Sequence, residues 1–213
     1  MNLNFYKQIQ KELLETSQKA QLIAVTKYSN INEINEAIKQ GITKIGENRI
    51  ESMEEKMEYL LPVEKHFIGV VQGKKLKRIL NNFDIIQSIA KWEHLEKLNK
   101  IALEEGKIAK IFLQVNISHE YQKSGFTPSD LKNIKEKIIL FKNITVQGIM
   151  GMAENTENKD DIRMQFRLAR NIFNDLKKEI PTIKELSLGM SSDYKIALEE
   201  GATLVRIGSA LFK

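Results

Sequence analysis

Three times in this chain a helical pattern stops on glycine and a β-type run starts at once. Ala37-Ile38-Lys39-Gln40-Gly41 leads into Ile42-Thr43-Lys44-Ile45-Gly46. Ala102-Leu103-Glu104-Glu105-Gly106 leads into Ile108-Ala109-Lys110-Ile111-Phe112-Leu113, and Ala197-Leu198-Glu199-Glu200-Gly201 leads into Ala202-Thr203-Leu204-Val205. Glycine just past a helix end takes a positive φ at no steric cost, so it closes the helix and turns the chain. Helix, glycine, strand is the joint of an α/β repeat. The fold must therefore alternate.

Placed by these joints, strands are expected over 22–26, 44–46, 66–69, 85–88, 109–115, 145–150, 185–188 and 203–207. Apolar residues at i, i+3, i+4 spacing predict helices over 32–40, 49–61, 74–81, 92–105, 129–140, 160–179 and 193–200, with another over 4–19 before the first strand. Asn30, Thr127-Pro128 and Ser192-Asp193 supply start signals. No Pro/Gly/Ser-rich linker interrupts the pattern, so residues 1–213 read as a single domain, long enough to bury one core. Eight βα units predict an α/β fold: a (β/α)8 TIM-type barrel with an extra N-terminal helix. An open doubly wound sheet is the alternative. It would want a glycine-rich turn after the first strand, and Lys27-Tyr28-Ser29-Asn30 has no glycine.

A barrel places chemistry at the C-terminal ends of its strands, with phosphate in the loops after strands seven and eight. Those ends carry Lys27, Glu47-Asn48, Gln72, Ser88, Asn116, Met150-Gly151, Gly189-Met190-Ser191 and Gly208-Ser209. Lys27 closes the apolar run Leu22-Ile23-Ala24-Val25-Thr26. A lysine that ends a buried strand is expected to face a pocket rather than solvent, and an amine there suits Schiff-base chemistry. Glycine and serine just before a helix suit a phosphate, since backbone N–H groups and a hydroxyl can converge on one anion. Together they suggest a phosphorylated aldehyde held at both ends. Each residue also has a plain structural reading. Lys27 could snorkel to water, Asn48 or Ser191 could serve helix starts, and Arg206 could form an ion pair with a nearby carboxylate.

Composition removes other classes. The absence of cysteine excludes disulfides and thiol chemistry. His66, His94 and His119 match no metal-ligand spacing, so no metal is expected. The net charge of +5 is mild, and most lysines alternate with glutamate along helices. The densest basic run, Lys74-Lys75-Leu76-Lys77-Arg78, lacks interleaved aromatics, so nucleic acid is not an expected partner. No signal-peptide pattern stands at the N-terminus, and no apolar run approaches the ~20 residues of a membrane span. A cytoplasmic protein without a membrane partner is the expectation.

Taken together, the motifs resemble a known family. They are Ala24-Val25-Thr26-Lys27, Gly46-Glu47-Asn48, His66-Phe67-Ile68-Gly69, Gln72 and Val115-Asn116-Ile117. Further on come Lys123-Ser124-Gly125-Phe126, Gly148-Ile149-Met150-Gly151-Met152, Leu188-Gly189-Met190-Ser191-Ser192-Asp193 and Val205-Arg206-Ile207-Gly208-Ser209-Ala210-Leu211-Phe212. Over nearly its whole length the chain resembles the pyridoxal phosphate homeostasis proteins, single-domain relatives of the alanine racemase N-terminal barrel. It departs from their pattern at Val71, Lys74 and Ile89-Ala90.

The resemblance implies that pyridoxal 5'-phosphate is the cofactor and that Lys27 carries it as an internal aldimine. It implies that Ser191, with Met190 nearby, and Gly208-Ser209 receive the phosphate. It also implies that Arg206 approaches the pyridine nitrogen and Asn48 lies near the ring. A pocket that desolvates lysine would favour the neutral amine needed for attachment, and a cationic arginine would keep the ring nitrogen unprotonated.

Two functions remain open: a carrier that stores the cofactor or delivers it to apo-enzymes, within vitamin B6 homeostasis, or an amino-acid racemase-like enzyme. Racemisation on such a barrel would need a second base, usually a tyrosine from an added domain. The chain ends at Phe212-Lys213, so the carrier without turnover is preferred and a monomer is expected.

Overall fold

In the computed structural model, eight parallel strands pair in sequence order, and the last returns to the first to close a barrel. The structure describes residues 1–16, 20–118 and 124–212, without the side chains of 133 and 135. The expected helix tail at 17–19, His119 and Lys123 lie outside the described residues.

The strands are β1 Gln21–Val25, β2 Lys44–Glu47, β3 Glu64–Phe67, β4 Ile85–Ile89, β5 Ala109–Val115, β6 Ile144–Gly151, β7 Glu185–Ser187 and β8 Leu204–Ile207. Helix α1, Leu3–Leu14, precedes them. Between the strands lie α2 Ile31–Lys39, α3 Ile50–Lys56, α4 Leu76–Asn82, α5 Trp92–Glu104, α6 Pro128–Ile138, α7 Lys159–Glu179 and α8 Tyr194–Glu199. The three punctuating glycines, Gly41, Gly106 and Gly201, all have positive φ. Asn30 and Thr127 each complete a capping box, with Glu33 and Asp130 respectively.

The departures from expectation have local causes. α1 stops at Leu14, where Glu15 and Thr16 bond back to Lys11 and Leu13. β3 starts at Glu64, two residues early, because a charged pair at the barrel floor joins the ladder opposite Lys44 and Ile45. Single 3-10 turns, Met57–Tyr59 and Gly73–Lys75, replace the end of one expected helix and the start of the next. A short helix α9, Ser209–Phe212, follows β8 where the sequence placed nothing.

Alternation along each strand builds two cores. Ala24, Val205 and Ile207 face outward into a large layer shared with the helices. Ile23, Ile85, Phe112, Met150 and Leu204 form a separate cluster inside the barrel. Burying each such side chain contributes roughly 1.5–3 kcal/mol. Beside this plug the interior turns polar: His66, Gln87, Ser187 and Arg206 are all buried.

Three of the four basic residues in the 74–78 segment are engaged in ion pairs. Lys75 meets Glu51 at 2.9 Å, Lys77 meets Glu105 at 2.7 Å, and Arg78 spans Glu51 and Glu54. These bonds brace α4 against α3 and the end of α5, and they neutralise much of the charge a polyanion would need. Among the described residues no helix is long and apolar enough to cross a membrane.

Candidate functional site

The sequence-predicted residues lie on loops that leave neighbouring strands at the C-terminal end of the barrel. Val25 pairs with Gly46, and Ala24 pairs with Ile207. The ladder is continued by Thr26 N–H, which donates to the Gly46 carbonyl at 2.9 Å, so the turn bearing Lys27 and the turn bearing Asn48 leave neighbouring strands at the same end of the barrel. Gly208 sits close against β1: a Cβ there would lie 3.2 Å from the Val25 carbonyl oxygen. On the other side, Arg206 N–H donates to the Gly189 carbonyl at 3.0 Å, so the loops after β7 and β8 run side by side.

The loop after β7 is shaped by two constraints. Gly189 has φ +81°, and a Cβ on it would meet Ala197 Cβ at 2.6 Å and Tyr194 Cα at 2.8 Å. Asp193 then pulls the loop over by accepting the Met190 N–H at 2.6 Å. It caps no N–H of α8, contrary to the expectation for Ser192-Asp193. Burial pushes the Asp193 carboxyl up, opposed by the Met190 bond and by Arg206. The consequence is a turn at Ser191 and Ser192 whose N–H groups have no protein acceptor among the described residues. Ser209 and Ala210, the first residues of α9, have N–H groups in the same condition. Four backbone donors and the hydroxyls of Ser191 and Ser209 on two adjacent loops are a chemical match for a phosphate. Met190 stands half-exposed beside them.

Arg206 is 4% exposed. Nη1 donates to Ser187 O at 2.8 Å and Ser187 Oγ at 2.7 Å, and Nη2 donates to Gly151 O at 2.9 Å. These acceptors are neutral, so the alternative of a structural ion pair is not realised. Burial draws the guanidinium down to about 10, with Asp193 opposing through space, which leaves it cationic at pH 7. Three of its five N–H bonds are engaged, and the other two have no protein acceptor among the described residues.

Lys27 corrects the sequence reading. It is exposed, with Nζ 4.8 Å from the centroid of the Tyr28 ring. The strand ends at Val25, and a turn closed by Ser29 N–H to Thr26 O at 3.0 Å lifts Lys27 above the rim. The chain itself therefore does not bury the amine. It presents it where a dissolved aldehyde can reach it. Asn48 is exposed too, and it caps nothing: the N-cap of α3 is Arg49. The Asn48 carbonyl crosses directly over Gly69, where a Cβ would lie only 1.9 Å from that oxygen.

Glu47, to which sequence reasoning assigned no role, organises this rim. It is fully buried, and its carboxylate accepts from Asn48 N–H at 2.8 Å, Thr26 Oγ1 at 3.3 Å, Ser52 Oγ at 3.2 Å and Lys56 Nζ at 3.1 Å. Lys56 also donates to the Thr26 carbonyl at 3.2 Å. One ion pair thus ties the turn bearing Lys27 to the turn bearing Asn48. The only sequence signal was a lone carboxylate at a strand end.

At the opposite end of the barrel, Glu64 accepts from His66 and Lys44, and these bonds hold its carboxyl down to about 2. A depressed acid stabilises the fold above its unfolded value near 4.3 and loses that effect as pH falls toward 2. Thermal unfolding midpoints should therefore fall less steeply between pH 5 and pH 2.5 (roughly the span of that titration,) for Glu64→Gln than for the parent protein. Parallel slopes would contradict the assignment. No group of three or more His, Asp or Glu side chains among the described residues could hold a metal.

Comparison with known proteins gives a consistent result. The family model described as alanine racemase, N-terminal domain, matches residues 4–213. A pyridoxal phosphate homeostasis protein of Aquifex aeolicus (strain VF5) is 34% identical over 196 residues, covering 91% of this chain and 86% of the relative. Among solved structures, PipY of Synechococcus elongatus PCC7942 without PLP superposes with a TM-score of 0.90 at 32% identity, over 97% of this chain and 99% of PipY. The same protein with PLP bound gives a TM-score of 0.87 at 30% identity, with the same two coverages.

Proposed function

Because the chain belongs to the alanine racemase N-terminal domain family, and within it to the pyridoxal phosphate homeostasis proteins, we propose that it binds pyridoxal 5'-phosphate and takes part in the cell's vitamin B6 homeostasis. The observation that carries this reading is the pair of adjacent loops after β7 and β8, which carry four N–H groups without a protein acceptor among the described residues, next to the buried Arg206 and at the same end of the barrel as the exposed Lys27. The cofactor's three features ask for those groups. Its phosphate suits the donors of Ser191, Ser192, Ser209 and Ala210. Its pyridine nitrogen, an acceptor when unprotonated, suits Arg206, and Asn48 is tied through the buried Glu47 to the turn that bears Lys27. The aldehyde, the electrophile the cofactor supplies when bound, suits the Lys27 amine.

Storage or delivery without turnover is the function we assign. Arg206 stays cationic and donates only, so the ring nitrogen beside it would stay unprotonated. That weakens the ring as an electron sink. Lys27 stands in an open, wet mouth, which opposes carbanion chemistry. The reading extends to a cytoplasmic monomer that passes cofactor to apo-enzymes.

A spectral titration with pyridoxal phosphate tests binding, and transfer to an apo-enzyme with a trap for free aldehyde tests delivery. Saturation at one cofactor per chain and trap-resistant transfer are expected. Incubation with single L-amino acids should form no D-isomer. Turnover to the D-isomer that disappears in Lys27→Ala would replace the carrier by a racemase.

A further inference from the structure

A continuous line of hydrogen bonds runs through the barrel interior and ends on Arg206. At the floor, Lys44 and His66 both reach Glu64 Oε1, with His66 Nε2 at 2.8 Å. His66 Nδ1 lies 2.8 Å from Gln87 Nε2. Gln87 Oε1 accepts from Ser187 Oγ at 2.8 Å, a bond that crosses from β4 to β7. Ser187 Oγ in turn accepts from Arg206 Nη1 at 2.7 Å. His66, Gln87, Ser187 and Arg206 are each under 5% exposed.

The two ends fix the direction. An ionised carboxylate only accepts and a guanidinium only donates. Glu64 therefore requires a proton on His66 Nε2. In the neutral ring Nδ1 is then bare and needs a donor, which sets the Gln87 amide with its NH2 toward His66. The amide oxygen must take the Ser187 hydroxyl proton, which leaves Ser187 Oγ open to Arg206. Reversing the amide would aim two donors at Ser187 Oγ and leave its proton without an acceptor. Buried polar groups left in that state are costly.

We propose that His66, Gln87 and Ser187 are positioning residues for Arg206: a one-way relay anchored at the barrel floor that aims the guanidinium at the mouth. What Arg206 meets there rests on the pyridoxal phosphate reading above; the relay itself does not. It gives the His66-Phe67-Ile68-Gly69 motif a task at a site its own side chain does not reach.

The test uses Gln87→Leu, with Ser187→Ala as the smaller change should the first fail to fold. In the unliganded parent protein at neutral pH, 15N NMR should show His66 protonated on Nε2 and bare on Nδ1. Slowly exchanging Arg206 guanidinium signals should be resolved, and both variants should lose them. With pyridoxal phosphate bound, both variants should move the absorption maximum in the same direction as Arg206→Lys. Their affinity should fall by roughly tenfold, the scale of one hydrogen bond to a charged group. A merely structural role would lower thermal stability and leave the absorption maximum in place. A His66 protonated on Nδ1, or an unmoved maximum in both variants, would overturn the relay. If the parent protein took up no cofactor, the functional reading would fail while the NMR result still decided the relay.

Discussion

A Lys56→Met variant should unfold with about 3–5 kcal/mol less free energy than the parent, the usual cost of stranding one member of a buried ion pair. Glu47 is the stranded partner, with a side chain fully shielded from water while that of Lys56 is 14% exposed. Methionine fills the same channel with similar volume, so packing loss contributes little. Pairing it with Glu47→Gln removes the uncompensated charge but keeps an oxygen for the Asn48 N–H. The double variant should regain more than half of the loss (an estimate from the near-neutral exchange of such pairs,). Urea unfolding with an unchanged m-value measures both. A loss below about 1 kcal/mol, the range of an exposed pair, would show that water reaches Glu47. The variant should also weaken cofactor binding, because Lys56 holds the Thr26 carbonyl next to Lys27.

Gly189→Ala is expected to be nearly as damaging, for a different reason. The added methyl meets both a positive φ and the first turn of α8 at 2.6–2.8 Å. Backbone strain costs about 1–3 kcal/mol, and overpacking adds about 1–3 kcal/mol. Relief requires moving α8 or the loop, and either movement breaks up the Ser191–Ser192 turn. Gly106→Ala is the control. Its φ is +62°, but nothing lies within 4 Å of the new atom, so only the strain remains, about 1–2 kcal/mol. Thermal unfolding of the pair, with pyridoxal phosphate titrations, separates the contributions. Equal losses at the two positions would mean that α8 yields freely.

The alternating architecture was legible because its punctuation is local. A glycine at a helix end is fixed by φ within its own residue, so all eight strands fall within two residues of expectation. The loops proposed to receive the phosphate, Gly189–Ser191 and Gly208–Ser209, are short segments whose geometry their neighbours set, which is why the sequence could point to them. Lys27 was placed correctly along the chain but misjudged in depth. An apolar run shows that a strand is buried, yet not where its last hydrogen bond falls, and the turn at Thr26–Ser29 begins one residue sooner than expected. The interior relay could not be read at all. Its central bond joins residues 100 positions apart, and no periodicity encodes a contact across the barrel. His66 therefore entered the sequence reading only as a histidine without metal-ligand spacing and as part of the His66-Phe67-Ile68-Gly69 motif. Glu47 was hidden likewise, since its partner sits on the following helix at a spacing that fits no motif.

Reduction with borohydride after loading with pyridoxal phosphate, followed by peptide mapping, tests the central claim most directly. The account predicts a single reduced adduct per chain, on Lys27, absent from Lys27→Ala even though that variant still takes up some cofactor through the Ser191 and Ser209 loops. Label spread over exposed lysines, or a modified site distant from the barrel mouth, would contradict it.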